Sequence, residues 1–219
     1  PEKATKVDLS YNFSSQAVNL FVNGYLSHTT DYISQMTKMD NERLITTYAN
    51  ADSDIKRGVE VSLKVTPAKW MNFSVGANTY YVTTEGVFEG MHIDNQGWTN
   101  NSNLLLDFVP WKGGDLQLQY FITTPQYYPQ LTTSLTHQMN MGIKQRFMKG
   151  AMTASILVTD VLNTAKWDVW SNNSLFNLKN SSTNKSRMIW LGVSYNFNSF
   201  KQKSNQKAET DRSLIKLGL

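Results

Sequence analysis

The sequence predicts an all-β fold, an antiparallel up-and-down transmembrane β-barrel portion that supplies about nine strands of a larger barrel. Three observations support this prediction. Apolar and polar side chains alternate along most of the chain, short turns alternate with long polar loops, and no apolar run approaches the length of a spanning helix. A spanning β-strand needs only about 9 to 11 residues, with every second one apolar.

The composition is typical of this class. Charged residues make up 17% of the 219 residues, below the quarter or so usual in soluble domains, whereas aromatic residues reach 12%. Cysteine is absent, which excludes a disulfide framework and any cysteine-based metal site. Most of the formal net charge of +4 lies in the last part of the chain without a nucleic-acid-binding motif, so no nucleic-acid partner is expected.

Each predicted strand carries one apolar face and one polar face. The polar face holds mainly Asn, Ser, Thr, Gln and Gly, a composition typical of the crowded and hydrated lumen of a barrel. The apolar faces fall, in chain order, within Val7–Phe13, Val18–Val22, Val59–Val65, Phe73–Tyr81, Leu104–Phe108, Leu116–Ile122, Leu135–Ile143, Met152–Val158 and Ile189–Phe197.

Short and long connections alternate between these strands. Transmembrane barrels have short periplasmic turns and longer extracellular loops, so this asymmetry predicts which end is which. The turns predicted to be periplasmic are Ser14–Gln16, Pro67–Trp70, Lys112–Gly114 and Lys149–Gly150. The loops predicted to be extracellular are Gln35–Glu42, Glu85–Gly97, Pro125–Pro129 and Thr164–Lys185.

The strand count also predicts the domain organisation. A complete single-chain barrel has an even number of strands and begins on the periplasmic side, whereas an odd count ending in the periplasm begins outside. Residues 1–198 are therefore predicted to be the C-terminal part of an outer-membrane β-barrel, and residues 199–219 a polar, basic periplasmic tail.

Aromatic residues beside the short turns predict an interfacial girdle. Trp70 and Trp111 adjoin two of these turns, and Phe13 and Phe147 adjoin the others. Aromatic side chains are enriched at this level of membrane barrels because one end of the ring is apolar and the other tolerates water.

Three segments resemble a known family. Arg57–Leu63 (RGVEVSL), Thr159–Asn163 (TDVLN) and the closing Trp190–Phe197 (WLGVSYNF) resemble the C-terminal barrel of TonB-dependent outer-membrane receptors, most nearly the Bacteroidetes outer-membrane β-barrel family. The resemblance extends from about Lys6 to Phe197.

The resemblance implies uptake of a scarce nutrient (a glycan, a peptide or a metal chelate) through a receptor in the outer membrane. The implied partners are outer-membrane lipid, the nutrient, TonB and a surface lipoprotein. The TonB contact belongs to an N-terminal plug and TonB box that do not occur in these 219 residues, so this segment is expected to supply barrel wall, outer loops and part of the substrate vestibule.

No pattern in the chain predicts an enzyme, a metal site or a cofactor. A nucleophile elbow and a phosphate-cradling Gly-rich loop are missing, and the three histidines are far apart in sequence. Asp160, at a predicted strand end, is interpreted mainly as a structural residue that anchors a loop or pairs with a basic side chain.

Aromatic residues in the outer loops and strand ends are the candidates for ligand contact. Exposed aromatic faces there can stack on sugar rings or apolar cargo, although loop packing and an outer girdle remain alternatives. The candidates are Trp98, Tyr127, Tyr128, Trp167 and Trp170.

Two further functions compete with the receptor. One is a structural or adhesive outer-membrane barrel without energy-coupled transport. The other is a soluble all-β carbohydrate-binding module, which would need a polar surface on strand faces that here carry Val, Leu, Ile and Phe.

Overall fold

A computed structural model describes residues 1–41, 43–173, 176–183 and 185–197. The predicted tail at 199–219 lies outside the described residues. The strands are β1 (Lys3–Ser14), β2 (Val18–Asp40), β3 (Arg43–Ala68), β4 (Met71–Phe88), β5 (Met91–Phe108), β6 (Gly114–Thr123), β7 (Thr132–Thr133), β8 (Thr136–Phe147), β9 (Met152–Thr159), β10 (Lys166–Asn172), β11 (Asn177–Thr183) and β12 (Met188–Tyr195). No helix among the described residues is long and apolar enough to cross a membrane.

Nine of these strands form one antiparallel sheet, which confirms the predicted up-and-down fold and strand number. The order is β1-β2-β3-β4-β5-β6-β8-β9-β12. Each strand of this sheet is hydrogen-bonded to the strand of the sheet that comes next along the chain. Within the described residues β1 and β12 each pair on one side only, so the sheet is open. The remaining strands form a second sheet in the order β11-β10-β7.

The four predicted short turns are confirmed and lie at one end of the large sheet, which we call the short-turn end. They join β1 to β2, β3 to β4, β5 to β6 and β8 to β9. The opposite end, which carries the other hairpins and the second sheet, is called the long-loop end.

The two faces of the large sheet have an arrangement opposite to that of a water-soluble domain. Large apolar side chains remain accessible on one face even in interior strands, as in Leu26 of β2 (46% exposed) and Ile156 of β9 (47% exposed). On the other face polar side chains are buried, as in Asn72 and Asn140, which accept hydrogen bonds from Thr66 and Gln138 at 2.8 Å each. Removing apolar surface from water is strongly favourable. An apolar face that the protein itself leaves uncovered is therefore typical of a sheet that contacts lipid.

Buried apolar side chains occur only away from that face among the described residues. They lie towards the long-loop end and in the second sheet: Met36, Ala51, Val82, Phe88, Ile93, Val169 and Phe176. The core therefore fastens the outer hairpins and loops, whereas the membrane-facing strands rely on the backbone hydrogen bonds of the sheet.

Two predicted loops are wrong, because the strands continue through them. Gln35–Glu42 is replaced by a hairpin in which β2 ends at Asp40 and β3 begins at Arg43. Glu85–Gly97 is likewise strand except for a two-residue turn at Glu89 and Gly90, whose φ angles of 50° and 76° suit a tight hairpin. Outside the membrane both faces of a hairpin can be polar, so the alternation of apolar and polar residues stops before the pairing of the two strands does.

The predicted loop at Thr164–Lys185 is also corrected. It contains β10 and β11, which pair from Lys166–Thr183 to Asn172–Asn177. The prediction missed these strands because their sequences, KWDVWSN and NLKNSST, lack a sustained apolar alternation. The predicted loop at Pro125–Pro129 is confirmed apart from an isolated bridge between Tyr127 and Thr132.

Candidate functional site

The outer half of the β2–β3 hairpin folds back over the polar face at the long-loop end. We call residues 32–51 the outer hairpin. Asp31, just before it, has a φ of 53°, and pairing of β3 with β4 ends at Ser53–Glu85. Beyond that point Gly86 faces the backbone of residue 52 so closely that an added Cβ would lie 2.8 Å from the Asp52 nitrogen.

A small apolar core holds the outer hairpin in place. Met36 and Ala51 of the hairpin are fully buried against Phe88 and Ile93 of the neighbouring β4–β5 hairpin. By strand alternation Phe88 and Ile93 belong to the face that carries the polar residues further along β4 and β5. The outer hairpin therefore covers part of the prospective lumen.

Gln130, in the loop after β6, joins that loop to the outer hairpin. Its side chain accepts a hydrogen bond from the Thr37 backbone nitrogen at 2.6 Å and donates one to the Thr37 carbonyl at 3.1 Å. The Gln130 side chain is buried, so these hydrogen bonds replace the hydrogen bonds to water that it loses on folding. An exposed ion pair between Lys38 and Glu89, 2.7 Å apart, lies beside this junction.

Tyr127 occupies the space left by a missing side chain on β5. Its ring lies over Gly97, where an added Cβ would overlap the ring atoms. The loop around it is fixed by hydrogen bonds from Thr99 to the Pro125 carbonyl at 2.9 Å and from Asn95 to the Tyr128 carbonyl at 2.6 Å. Below it the Tyr80 hydroxyl donates to Gln126 at 3.3 Å.

The second sheet places an aromatic row on one of its faces. Tyr127 is bridged to Thr132, Thr132 pairs with Trp170, and Trp170 pairs with Lys179. Directly opposed residues project to the same side, so these four side chains share a face, which we call the aromatic row. With neighbouring strands about 4.8 Å apart, Tyr127 and Trp170 lie about 10 Å apart.

The other face of the second sheet is the packed one. Val169 and Ser171 of β10 and Thr133 of β7 are buried. Trp170 is 39% exposed on the opposite side. On the side of the aromatic row Trp170 and Lys179 are accessible, whereas the Tyr127 ring is partly buried against Gly97. On the packed side Trp167 remains 46% exposed.

The five sequence candidates separate in the structure. Tyr127 and Trp170 share the aromatic row, and Tyr128 follows Tyr127 with its side chain half-exposed. Trp167 lies on the opposite face of β10 from Trp170 by strand alternation. Trp98 lies in β5 on the apolar face of the large sheet, edge-on to Tyr81 with ring centroids 5.5 Å apart, a position typical of an outer girdle.

Sequence reasoning did not single out a second group on the polar face. Tyr25 and Tyr80 lie on either side of Gly58, where an added Cβ would come within 2.7 Å of both residues. Nearby, Asp54 accepts a hydrogen bond from Thr84 at 2.8 Å and pairs with Lys56 at 3.0 Å. The feature of the sequence that could have indicated this group is a glycine, Gly58, on a strand between two strands with large side chains.

Asp160 anchors the long connection after β9, as the sequence interpretation proposed. Its carboxylate accepts hydrogen bonds from the backbone nitrogens of Thr164 at 2.9 Å and Ala165 at 3.2 Å, and from the Ser186 hydroxyl. Burial raises the pKa of the Asp160 carboxyl, but the hydrogen bonds from Ser186, Thr164 and Ala165, with the nearby Arg187 charge, outweigh burial and hold that pKa below its ordinary value.

The long-loop end gathers polar and aromatic side chains. Aromatic rings, amides, hydroxyls and a few paired charges converge there, whereas no three His, Cys, Asp or Glu side chains in the described ranges gather at a metal-binding distance.

Comparison with known proteins agrees with this architecture. Residues 1–195 match the model of the outer membrane protein beta-barrel family. No curated protein and no solved structure matches the chain. The match covers almost the whole chain, and this family points to an outer-membrane location. The meander of nine strands, the accessible apolar face and the family match together lead to one conclusion: the chain belongs to the outer membrane protein β-barrel family.

Proposed function

We propose that this chain is part of a TonB-dependent nutrient receptor, in which the large sheet is barrel wall and the aromatic row contacts the incoming nutrient. The observation that carries the proposal is the shared face of Tyr127 and Trp170 at the long-loop end. Because short turns are periplasmic in membrane barrels, the long-loop end is extracellular, where a receptor meets its cargo.

The aromatic row favours cargo with flat apolar surfaces. Tyr and Trp rings stack on sugar rings or apolar peptide side chains, and Lys179 adds a positive charge beside Trp170. A glycan, a peptide and an anionic metal chelate all satisfy this chemistry. The proposal assigns no reaction to the chain.

The other proposed partners act elsewhere on the protein. In such a receptor TonB would contact a plug and TonB box rather than the barrel wall, and a surface lipoprotein would meet the extracellular hairpins. The outer hairpin supports such a contact because β2 and β3 have 23 and 26 residues, more than the roughly 9 to 11 that a spanning strand needs.

The experiment is uptake by cells that produce the full-length parent protein or its variants. Fluorescent maltooligosaccharides, a labelled peptide mixture and ferric citrate serve as probes, each with and without a protonophore. Tyr127→Ala and Trp170→Ala should each reduce uptake of one probe by about tenfold, the loss expected for a central aromatic contact. The protonophore should abolish that uptake.

Trp98→Ala is the matched control, since Trp98 is an exposed aromatic residue at a similar level but on the apolar face. It should leave uptake unchanged. Equal losses in all three variants would contradict binding at the aromatic row. If no probe is taken up but deletion of the protein weakens the envelope or cell adhesion, the structural or adhesive barrel replaces the receptor.

A further inference from the structure

The apolar face of the large sheet carries a groove at the short-turn end. Its volume is about 620 Å³, and it is lined by Trp70, Phe108, Val109, Pro110 and Leu116. The Trp70 and Phe108 rings are stacked with centroids 6.2 Å apart, and the Val109 nitrogen donates to the Trp70 carbonyl at 2.7 Å. Side-chain stacking and a backbone hydrogen bond therefore join the residues of two neighbouring turns that line the groove.

The groove faces the hydrocarbon of the membrane. Phe108 pairs with Leu116 across β5 and β6, and both belong to the apolar side of those strands. Trp111 marks the interface beside the groove: its indole nitrogen donates to Gln145 at 2.5 Å and its ring lies over Gly114. A molecule that fills the groove thus has its apolar part in the bilayer and its polar part at the interface.

Positive charge flanks the groove in the chain. Lys69 directly precedes Trp70 and Lys112 follows Pro110 by two residues; both are exposed, and neither is in an ion pair among the described residues. The nearby acids lie on the other face, where Asp107 accepts a hydrogen bond from Gln117 at 2.7 Å and Asp115 pairs with Arg146 at 2.8 Å. The interface beside the groove is therefore cationic.

We propose that this groove binds one anionic phospholipid, with an acyl chain along Trp70, Phe108 and Leu116 and the headgroup phosphate against Lys69 and Lys112. A wall lined by apolar side chains accounts for the acyl chain, and two unpaired lysines at the interface account for the choice of an anionic headgroup. The leaflet concerned is the periplasmic one, which rests on the sidedness proposed above; the site itself does not depend on nutrient uptake.

The test uses full-length protein purified from the outer membrane in mild detergent. Native mass spectrometry would count bound dioleoyl phosphatidylglycerol and, separately, dioleoyl phosphatidylcholine. Wild-type protein should retain phosphatidylglycerol at least tenfold better. K69Q/K112Q should lose most of that preference, at about fivefold for each lysine. Trp70→Ala should reduce retention of both lipids.

Lys149→Gln is the matched control, because Lys149 also lies in a short turn but away from the groove. Heat-modifiable gel mobility would show that each variant is folded. Retention of both lipids to the same extent by the wild type would overturn the proposal, as would a loss in K149Q equal to that in K69Q/K112Q. Since no transport is measured, failure here is distinct from failure of the receptor proposal.

Discussion

The ring of Tyr127 lies against the backbone of Gly97, at a position where any larger residue on β5 would displace it. This contact fixes the loop after β6 to the large sheet and thereby sets the position of the aromatic row. Because Gly97 has no Cβ, the loop that carries the candidate site can pack directly on the barrel wall.

Gly97→Ala tests that contact. The added methyl group cannot fit beneath the ring, so the loop should move and the free energy of unfolding should fall by about 1–3 kcal/mol. Urea unfolding of the full-length protein in lipid vesicles, followed by Trp fluorescence, would measure it. Gly24→Ala is the control, because nothing lies within 4 Å of its added Cβ, and it should change stability by less than about 0.5 kcal/mol. Equal effects would show that the Tyr127 contact contributes nothing.

Gln130→Ala tests how the outer hairpin is held down. The substitution leaves the partly buried backbone N–H and C=O of Thr37 without their side-chain partner, which costs about 1 kcal/mol. Hydrogen exchange across residues 32–51 should therefore become faster, while exchange in the membrane-facing part of β3 stays slow. Gln35→Ala removes an exposed amide from the same hairpin and should leave exchange unchanged. Unchanged exchange in Q130A would show that the apolar core alone fastens the hairpin.

The stability of the connection after β9 should depend on pH through Asp160. Because the folded-state pKa of Asp160 lies below the ordinary value of 3.8, its stabilisation is fully present above about pH 4 and is lost as pH falls through the folded pKa. Limited proteolysis of the membrane-embedded protein should therefore cut residues 160–187 faster in acid, with an acid-stable protease as the probe.

Asp160→Asn should produce the same increase in cleavage at neutral pH, since an amide cannot accept all the bonds that the carboxylate accepts. The loss is expected to be about 1–3 kcal/mol. Asp94→Asn, at an exposed position of β5, should change neither the cleavage nor its pH dependence. Acid-insensitive cleavage in the wild type would argue against an anchoring role for the Asp160 charge.

Val61 and Ser62 offer a direct test of which face meets lipid. They are neighbours in β3 on opposite faces, Val61 opposite Val22 and Ala77, Ser62 opposite Phe21 and Gly76. Val61→Lys should destabilise the folded protein in a bilayer by about 2–4 kcal/mol, the cost of a lipid-facing charge near the midplane. Ser62→Lys should be tolerated, as its side chain enters the lumen. Urea unfolding in vesicles would compare the two, and a larger penalty for S62K would reverse the assigned faces.

The sequence by itself determined the strands that cross the membrane and the face of each. Successive side chains of a strand point to opposite sides, so an alternation such as that around Val61 specifies both secondary structure and orientation, and a one-residue slip would reverse every side chain. The short turns could be predicted as well, because they are the short segments that separate two alternating stretches. The outer end of β2 and the strands β10 and β11 could not be predicted this way, because in water neither face of a hairpin must be apolar.

Only the tertiary structure decided which candidate residues belong together. Tyr127 and Trp170 are far apart in sequence, and they share a face because each lies opposite Thr132. Trp98, which follows a segment predicted as loop, turns out to be strand on the apolar face. The fold of the outer hairpin back over Gly86 and the path of loop 124–131 over Gly97 depend on contacts between segments distant in the chain, which local periodicity does not encode.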